Sequence, residues 1–278
     1  MTNRTAPEPV LPWSRVTITA ALLALLAAPL ARADLIKAKD GSGVFGYKDT
    51  AALPGGQWVM HDPDRPLPPI VQPGPAGPTV PPPSDAVVLF DGRDLSAWKP
   101  GTDWKVEDGQ IVAGTGKLVS LATFGDVQVH AEFLVPTGFE GPWYAHGNNG
   151  VALMERFEIQ IFDSYSYKIP LYADGHNAAI YGQTPPLVNA SRAPGEWQTF
   201  DIFFTAPVFE NDKLIRPARL TLVHNGVLVH DNVEILGETR HRIAPRYPNN
   251  AMTGPISLPA HYCPVRFRQI WARPTSTR

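Results

Sequence analysis

The segment Phe157-Glu158-Ile159-Gln160-Ile161-Phe162-Asp163-Ser164 decides the fold class of this chain. Apolar and polar residues alternate along it with a period of two, which is typical of a β-strand with one face on a hydrophobic core. The polar positions hold Glu158 and Gln160 rather than the lysines and threonines of an ordinary solvated face. A sheet surface with a carboxylate and an amide indicates a groove for a hydroxyl-rich ligand. A solvated strand that carries a glutamate would give the same pattern.

The chain around this segment also has the pattern of strands and turns. Two hairpins are predicted, one across Glu107-Asp108-Gly109 and one across Asn225-Gly226, because such turns between apolar runs are strong hairpin signals. Further strands are predicted over residues 86–90, 127–135, 150–154, 199–205 and 264–272. No segment after Ser84 shows sustained helical periodicity. We therefore expect an all-β domain of low helix content, a sandwich or jelly roll of antiparallel sheets.

The first 33 residues have the features of a secretory signal peptide. Arg4 and Arg15 precede an apolar run over residues 16–30, and Ala31-Arg32-Ala33 supplies the small residues that signal peptidase recognises. The apolar run is too short for a membrane span. We expect cleavage before Asp34 and an exported mature protein, periplasmic or extracellular, without a membrane span.

Two segments separate the signal peptide from the main domain, which is expected over residues 84–278. Residues 34–61 are too few for a core of their own, and their three aromatic residues predict that the segment docks on the main domain. A flexible tether is the alternative for this segment. Residues 62–83 are rich in proline, which favours an extended linker or strap.

Composition argues against several classes of function. The chain has 24 Lys and Arg against 26 Asp and Glu without a basic cluster, so a nucleic-acid partner is not expected. Its eight histidines form no His-x-His or His-x-x-x-His pair, so no metal site is predicted. His241 lies between two arginines and is interpreted as part of a solvated turn. Cys263 is the only cysteine, which precludes an intramolecular disulfide and indicates a packed thiol.

The central strand lacks the paired carboxylates of a retaining glycosidase. Such an enzyme needs two carboxylates roughly 5 Å apart. The residue that follows Glu158 on the same face is Gln160, and Asp163 is expected on the opposite face.

The last predicted strand offers a second polar face. Arg266 and Arg268 alternate there with apolar residues, and His261 lies just upstream. The two arginines indicate either an ordinary solvated face or additional ligand contacts. The long loop over residues 172–194 is rich in Gly, Pro, Asn and Tyr, which predicts a functional rim or lid.

A series of motifs follows in order between Ser84 and Arg273. They are Leu89-Phe90-Asp91-Gly92, Gly147-Asn148-Asn149-Gly150-Val151, the Phe157–Ser164 segment, Ala179-Ile180-Tyr181-Gly182, Pro185-Pro186-Leu187-Val188-Asn189-Ala190, Pro194-Gly195-Glu196-Trp197 and Pro264-Val265-Arg266-Phe267-Arg268-Gln269-Ile270-Trp271. This series resembles the 3-keto-disaccharide (3-keto-glycoside) hydrolase family. The resemblance implies a concanavalin A-like jelly-roll sandwich and a role in breaking down oxidised sugars.

The resemblance also implies a reaction on a glycoside whose sugar has a ketone at C3. A base removes the C2 proton, the C1 leaving group departs by elimination, and water adds back at C1. Glu158 is the expected base, Arg266 the donor to the enolate oxygen, and His261 the leaving-group acid or a second donor. The expected hydroxyl-binding residues are Gln160, Asn149, Asp163, Tyr181, Asn189 and Arg268. No cofactor is expected, because a separate dehydrogenase would install the ketone.

The chain departs from the family pattern just before the last strand. Leu258-Pro259-Ala260-His261-Tyr262 replaces the usual Leu-Gln-Asp-His-Gly, and His176 replaces an expected Gln. The lost Gln-Asp pair favours a non-catalytic carbohydrate-binding module, whereas the retained Glu158 favours an enzyme. An ordinary glycosidase that acts on unoxidised glycans is a third alternative.

Overall fold

The protein is built from β-strands, in a computed structural model that describes residues 1, 34–79 and 81–275. The strands are β1 (Ile36–Lys37), β2 (Phe45–Gly46), β3 (Val87–Phe90), β4 (Lys105–Glu107), β5 (Gln110–Val112), β6 (Gly116–Phe124), β7 (Val127–Leu134), β8 (Asn149–Leu153), β9 (Phe157–Ile161), β10 (Trp197–Thr205), β11 (Val208–Glu210), β12 (Lys213–Arg216), β13 (Arg219–His224), β14 (Val227–Glu234), β15 (Gly254–Ala260) and β16 (Arg266–Pro274). The helical segments of the described residues are short 3-10 turns at Trp143–Ala145, Tyr165–Tyr167 and Ala173–Gly175. Low helix content is therefore confirmed. The predicted signal peptide lies outside the described residues, apart from Met1.

Two antiparallel sheets pack face to face and confirm the predicted sandwich. The larger sheet has the strand order β14-β13-β10-β7-β16-β5-β4, with β3 also paired to β16, and the smaller has the order β6-β15-β8-β9. Their inner faces share one core, to which the larger sheet contributes Phe133, Phe200 and Phe267 and the smaller contributes Phe157 and Ile159. Full burial of each such side chain stabilises the fold by roughly 1.5 to 3 kcal/mol.

The alternation along β9 has the predicted effect. Phe157, Ile159 and Ile161 are buried in the core. Glu158 and Gln160 therefore project from the outer face of the smaller sheet. β9 pairs with β8 along its whole length, so that Ala152 lies opposite Glu158.

Both predicted hairpin turns are present. Asp108 and Gly109 have φ values of 51° and 71°, and Asn225 and Gly226 have φ values of 52° and 80°. These left-handed pairs match the twist of the strands that they join.

Two strands of the smaller sheet, β6 and β15, were not predicted from the sequence. β15 contains Pro255 and Pro259, which have no backbone N–H to donate and therefore weaken a strand signal. In β6 the apolar residues occupy both faces: Leu118 is in the core, whereas Leu121 is 58% exposed. The period-two pattern is lost when both faces are apolar.

The N-terminal segment, residues 34–61, lies against the sandwich. It forms the short β1–β2 hairpin, and Val44 within it is buried. The backbone N–H of Phe45 donates to the carbonyl oxygen of Pro170 at 2.9 Å. Phe45 and Leu171 form an isolated parallel β-bridge.

The proline-rich segment that follows is fastened to the same side of the domain as an extended strap. The backbone N–H of Val71 donates to the backbone oxygen of Asn189, and the backbone N–H of Asn189 donates to that of Pro69, each at 2.9 Å. Farther along, Arg192 donates from Nη2 to Gly74 O at 2.8 Å. Among the described residues, no helix is both long enough and apolar enough to cross a membrane.

Candidate functional site

A cleft of about 910 Å³ lies over the outer face of the smaller sheet. Its floor is formed by β8 and β9, and residues of β6 and β15 line it alongside. The loop residues Tyr172, Tyr181 and His241 also line the cleft, together with Tyr47 of the N-terminal segment. The predicted rim loop over residues 172–194 thus does contribute to the wall. Both the size and the mixture of aromatic and polar groups are typical of small-molecule sites.

Glu158 lies on the floor of this cleft and is partly buried. The neighbouring β8 strand makes room for it, because a Cβ on Gly150 would stand 2.6 Å from Glu158 Oε1. Burial raises the pKa of Glu158 to about 7, against a weak opposing effect of the Lys117 charge. A carboxyl group that titrates near neutral pH can both take up and release a proton.

Two other carboxylates line the cleft, and each has a cationic partner. Glu155 lies 3.5 Å from Lys117 Nζ, and Glu238 lies 3.0 Å from Arg240 Nη2. Glu158 has no ion pair and its carboxyl group accepts no hydrogen bond within the described part of the chain. It is therefore the carboxylate of this cleft that is free to act on a ligand.

Gln160 lies next to Glu158 on the same face. Its side chain is 4% exposed, and Oε1 is buried without a hydrogen-bond partner among the described residues. A buried amide oxygen without a hydrogen bond is costly to the fold, and this oxygen is closed off from the cleft. The backbone of Gln160 is fixed by hydrogen bonds with Ala178 and Ala179.

Tyr181 and His241 form a hydrogen-bonded pair in the wall of the cleft. The Tyr181 hydroxyl lies 2.9 Å from His241 Nδ1 and 3.4 Å from the hydroxyl of Tyr172. Burial raises the pKa of Tyr181 above its usual range, and burial beside His61 and Arg242 lowers the pKa of His241 to about 4. Both groups are therefore neutral at pH 7. His241 does lie in an exposed turn, as interpreted from the sequence, but that reading missed its place in the cleft.

His261 lies on the exposed rim of the cleft. Its backbone N–H donates to Asn148 O at 3.0 Å. Burial, and then the charge of Lys117, lower the pKa of His261. The lowered pKa favours the neutral imidazole, which can donate one N–H hydrogen bond.

Residues 85–273 match the family described as the 3-keto-alpha-glucoside-1,2-lyase-like domain. The chain belongs to this family.

The family assignment agrees with the comparison of solved structures. A protein from Parabacteroides distasonis, described as a “putative glycosyl hydrolase”, is 37% identical and has a TM-score of 0.67, over 76% of this chain and 93% of that one. A second protein of that description from the same organism is 17% identical with a TM-score of 0.51, over 68% of this chain and 99% of that one, and shows the shared fold. No curated protein shows significant similarity to the chain.

Two residues expected in the site of this lyase-like domain lie elsewhere. Arg266 and Arg268 flank Phe267, whose side chain is in the core, so both arginines project from the outer face of the larger sheet. Arg266 lies 3.5 Å from Glu107, and Arg268 donates to Glu132 at 2.6 Å. Neither lines the cleft. The expected donor role of Arg266 and hydroxyl contact of Arg268 do not fit this placement, because the core separates their strand from Glu158.

Asn149 and Asn189 are buried and hold the backbone of the lyase-like domain. Asn149 donates from Nδ2 to the carbonyl of the buried Cys263 at 3.1 Å, and Asn189 donates to Ser164 O at 2.8 Å. Neither side chain lines the cleft. Their matches to the family motifs therefore reflect local structure and not a contact with ligand. The buried His176 likewise bonds Ser164 and the backbone of Leu171.

Asp163 lies beyond the end of β9 and lines a separate, smaller cleft of about 360 Å³ with His146 and Lys168. Burial raises its pKa. The structure thus brings together Glu158, Gln160, Tyr181 and His261 but not Asp163.

The departure from the family pattern falls inside the cleft of the lyase-like domain. Pro259 and Ala260 both contribute to its lining, at the positions of the usual Gln-Asp pair. Ala260 also packs in the core, so Pro259 is the residue of the pair on the outer face. Within the described residues, no three His, Cys, Asp or Glu side chains form a metal-binding group. The expectation of a reaction without cofactor stays a prediction.

Proposed function

We propose that the protein cleaves glycosides whose sugar carries a ketone at C3, by elimination followed by addition of water. Family membership supports the class of substrate. The observation that carries the proposal is Glu158, the cleft carboxylate without an ion-pair partner, whose pKa is raised to about 7 by burial. Elimination needs one base, whereas a retaining glycosidase needs two carboxylates in action.

In the first step Glu158 takes the proton from C2, which the neighbouring ketone acidifies. The electrons of the C2–H bond form the enolate and then the C1–C2 double bond, as the C1–O bond breaks and its electrons leave with the departing oxygen. Glu158 can pass the proton it has gained to that oxygen, since its pKa lies near neutrality. Water then adds at C1, and C2 regains a proton.

The enolate oxygen needs hydrogen-bond donors that are already in place. With Arg266 on the opposite side of the sandwich, the hydroxyl of Tyr181 is our candidate. Tyr181 is adjacent to the base, because its backbone N–H donates to Glu158 O at 3.1 Å. His261 serves as a second donor, since a neutral imidazole has no spare proton for the leaving group. Gln160 contacts the sugar from the floor of the cleft.

Hydrogen exchange at C2 tests this mechanism directly. The protein is incubated in D₂O with 3-keto-trehalose, an oxidised α-glucoside, and in parallel with trehalose, and products are followed by NMR. Elimination predicts release of glucose from the keto sugar alone, with deuterium at C2 of the 3-keto-glucose product. Release without deuterium at C2, or release from trehalose, would contradict it.

Non-catalytic carbohydrate binding is the second candidate, and the apolar pair Pro259 and Ala260 in the cleft favours it. The same incubation separates the two. A binding module would bind the sugars, as seen by line broadening of their NMR signals, and leave both intact and free of deuterium.

We also propose that the protein is exported, from the signal-peptide features of residues 1–33. Expression of the full chain followed by N-terminal sequencing of the exported protein tests this, and Asp34 is the expected first residue. Retention of Met1 in the mature product would contradict it.

A further inference from the structure

The N-terminal segment, residues 34–61, forms part of the cleft although it lies outside the family domain at residues 85–273. Tyr47 is one of the residues that line the cleft. Phe45, two positions earlier, packs edge-on against Trp143, another lining residue, with ring centroids 4.6 Å apart. The segment therefore adds a side chain to the wall and supports a second one.

The ring of Tyr47 is held on several sides. The guanidinium of Arg242 lies over it at 4.6 Å from the ring centroid, and Arg242 is itself fixed by an ion pair with Asp49 at 2.8 Å. His241 packs edge-on against Tyr47 with centroids 5.5 Å apart. A ring held in this way loses little further freedom on binding a ligand. The rings of His61 and Tyr172 also lie near Tyr47, with centroids 6.2 and 6.3 Å away. Tyr47 is half-buried, and its remaining surface lines the cleft.

The hydroxyl of Tyr47 forms no hydrogen bond with the described residues, in contrast to Tyr181, whose hydroxyl has two neighbours. Aromatic side chains with a polar tip suit ligands that present both C–H and O–H groups. A pyranose ring is such a ligand.

His61 anchors the segment from beneath. It is completely buried, its backbone N–H donates to Asp174 Oδ2 at 2.9 Å, and its Nδ1 lies 3.1 Å from Asp174 Oδ1. Its ring lies against that of Tyr172, with centroids 4.3 Å apart. The backbone N–H of Tyr47 in turn donates to His61 O at 2.8 Å. Tyr47 is therefore connected to the interior of the domain, and its position does not depend on a loose tail.

We propose that residues 34–61 complete the site with a sugar-binding subsite, in which the cleft-lining surface of Tyr47 contacts a pyranose ring of the substrate. The proposal rests on the proposed function only for the identity of the reacting sugar. A cleft of about 910 Å³ has room for more than one sugar ring.

Binding measurements in a background that does not turn over test the subsite. Full-length Glu158→Gln protein, alone and with Tyr47→Ala, Tyr47→Phe or Trp58→Ala, is titrated calorimetrically with 3-keto-trehalose and with trehalose. Tyr47→Ala should raise Kd roughly tenfold and Tyr47→Phe roughly threefold. Trp58→Ala is the matched control, because Trp58 is an aromatic residue of the same segment that does not line the cleft. It should leave Kd within about twofold.

Thermal unfolding of each variant separates binding from folding. If Tyr47→Ala lowers the melting temperature markedly, the Kd of Tyr47→Phe is the deciding measurement, because this variant keeps the ring and removes only the hydroxyl. Unchanged Kd in Tyr47→Phe together with unchanged Kd in a folded Tyr47→Ala would overturn the proposal, as would equal weakening by Trp58→Ala. Failure to bind either sugar would overturn it too. Weakened binding in Tyr47→Ala beside an inactive wild type would support the subsite and reject the proposed reaction.

Discussion

The outer faces of the two sheets carry similar side chains in different electrostatic arrangements. On the larger sheet, His130 Nδ1 lies 2.7 Å from Asp201, its Nε2 lies 3.6 Å from Glu132, and Glu132 accepts from Arg268. On the smaller sheet, Glu158 lies in the cleft without a partner among the described residues. Glutamate, histidine and arginine occur on both faces, so composition alone does not distinguish a site from a structural cluster.

The pKa values on the two faces show what pairing does. Burial alone would lower the pKa of His130, but the hydrogen bond with Asp201 and the nearby carboxylate of Glu132 outweigh it and raise the pKa to about 9. Burial alone would raise the pKa of Glu132, but His130 and Arg268 outweigh it and lower the pKa. Glu158 has no such partners, so burial prevails and the pKa rises to about 7. Paired groups stay charged at pH 7, whereas Glu158 can exchange a proton.

The largest expected effect is that of Glu158→Gln. The substitution keeps the size and removes the base, so turnover of 3-keto-trehalose should fall roughly a hundredfold or more. Glu107→Gln, at an exposed carboxylate near Arg266 on the larger sheet, is the control and should retain turnover. Turnover by Glu158→Gln close to that of wild type would remove Glu158 from the mechanism.

The pH dependence should follow the same group. The deprotonated form of Glu158 is the active base, so kcat/KM should rise with pH, roughly tenfold per unit on the acid limb, and level off above about 7. Stability should respond in the opposite sense. A carboxyl group with a raised pKa contributes stability that is present below the unfolded value of 4.5 and is lost as pH rises through about 7.

Glu158→Gln should therefore be more resistant to urea than wild type at pH 8, and similar to it at pH 4.5. Urea unfolding at the two pH values checks this. A wild type that gains stability relative to the variant between these values would contradict the raised pKa.

A stability effect of intermediate size is expected on the other sheet. Glu132→Gln leaves Arg268 and His130 without their shared carboxylate, and should cost about 1 to 3 kcal/mol of unfolding free energy at pH 7. The cost should shrink in acid, because a lowered carboxyl pKa contributes stability that is lost as pH falls through the folded pKa. Turnover per folded molecule should be unchanged. A large loss of turnover without a loss of stability would show that this face takes part in the reaction.

The smallest effects are expected for the two arginines of β16. Arg266→Lys and Arg268→Lys keep the charge, and neither residue lines the cleft. Turnover and KM should both stay within about twofold of wild type. Arg268→Lys should lower the melting temperature slightly more, because Arg268 also lies over the Trp197 ring at 4.0 Å. A selective fall in kcat for Arg266→Lys would restore its expected role as a donor.

Local patterns predicted the strand that bears the site and its face. The alternation through Phe157 and Ile159 is a property of a few consecutive residues, so Glu158 and Gln160 could be assigned from them. The alternation around Arg266 is equally regular, so its outward-facing side was also predictable. Which sheet its strand joins, and therefore whether it lies near the cleft of Glu158, depends on contacts between residues far apart in the sequence.

The errors at Asn149 and Asn189 have a different cause. A motif match shows that a residue matters to the family without showing whether it contacts ligand or backbone. Each of these side chains satisfies a buried carbonyl, a requirement of the fold. The wall residue Tyr47 had no local signal beyond its aromatic ring, since its position depends on the contact between His61 and Asp174, 113 residues apart.

The buried pairing of His61 with Asp174 means that the boundary of the family domain differs from the boundary of the folded unit. Sequence similarity marks out residues 85–273 as the shared family domain. Contacts mark out a compact unit that already includes residues 34–61. A protein trimmed to the shared boundary would keep Asp174 in its interior and lose the amide and the imidazole that satisfy it. The folded unit of this chain is therefore larger than the shared domain, and its N-terminal segment belongs to the interior that holds Asp174.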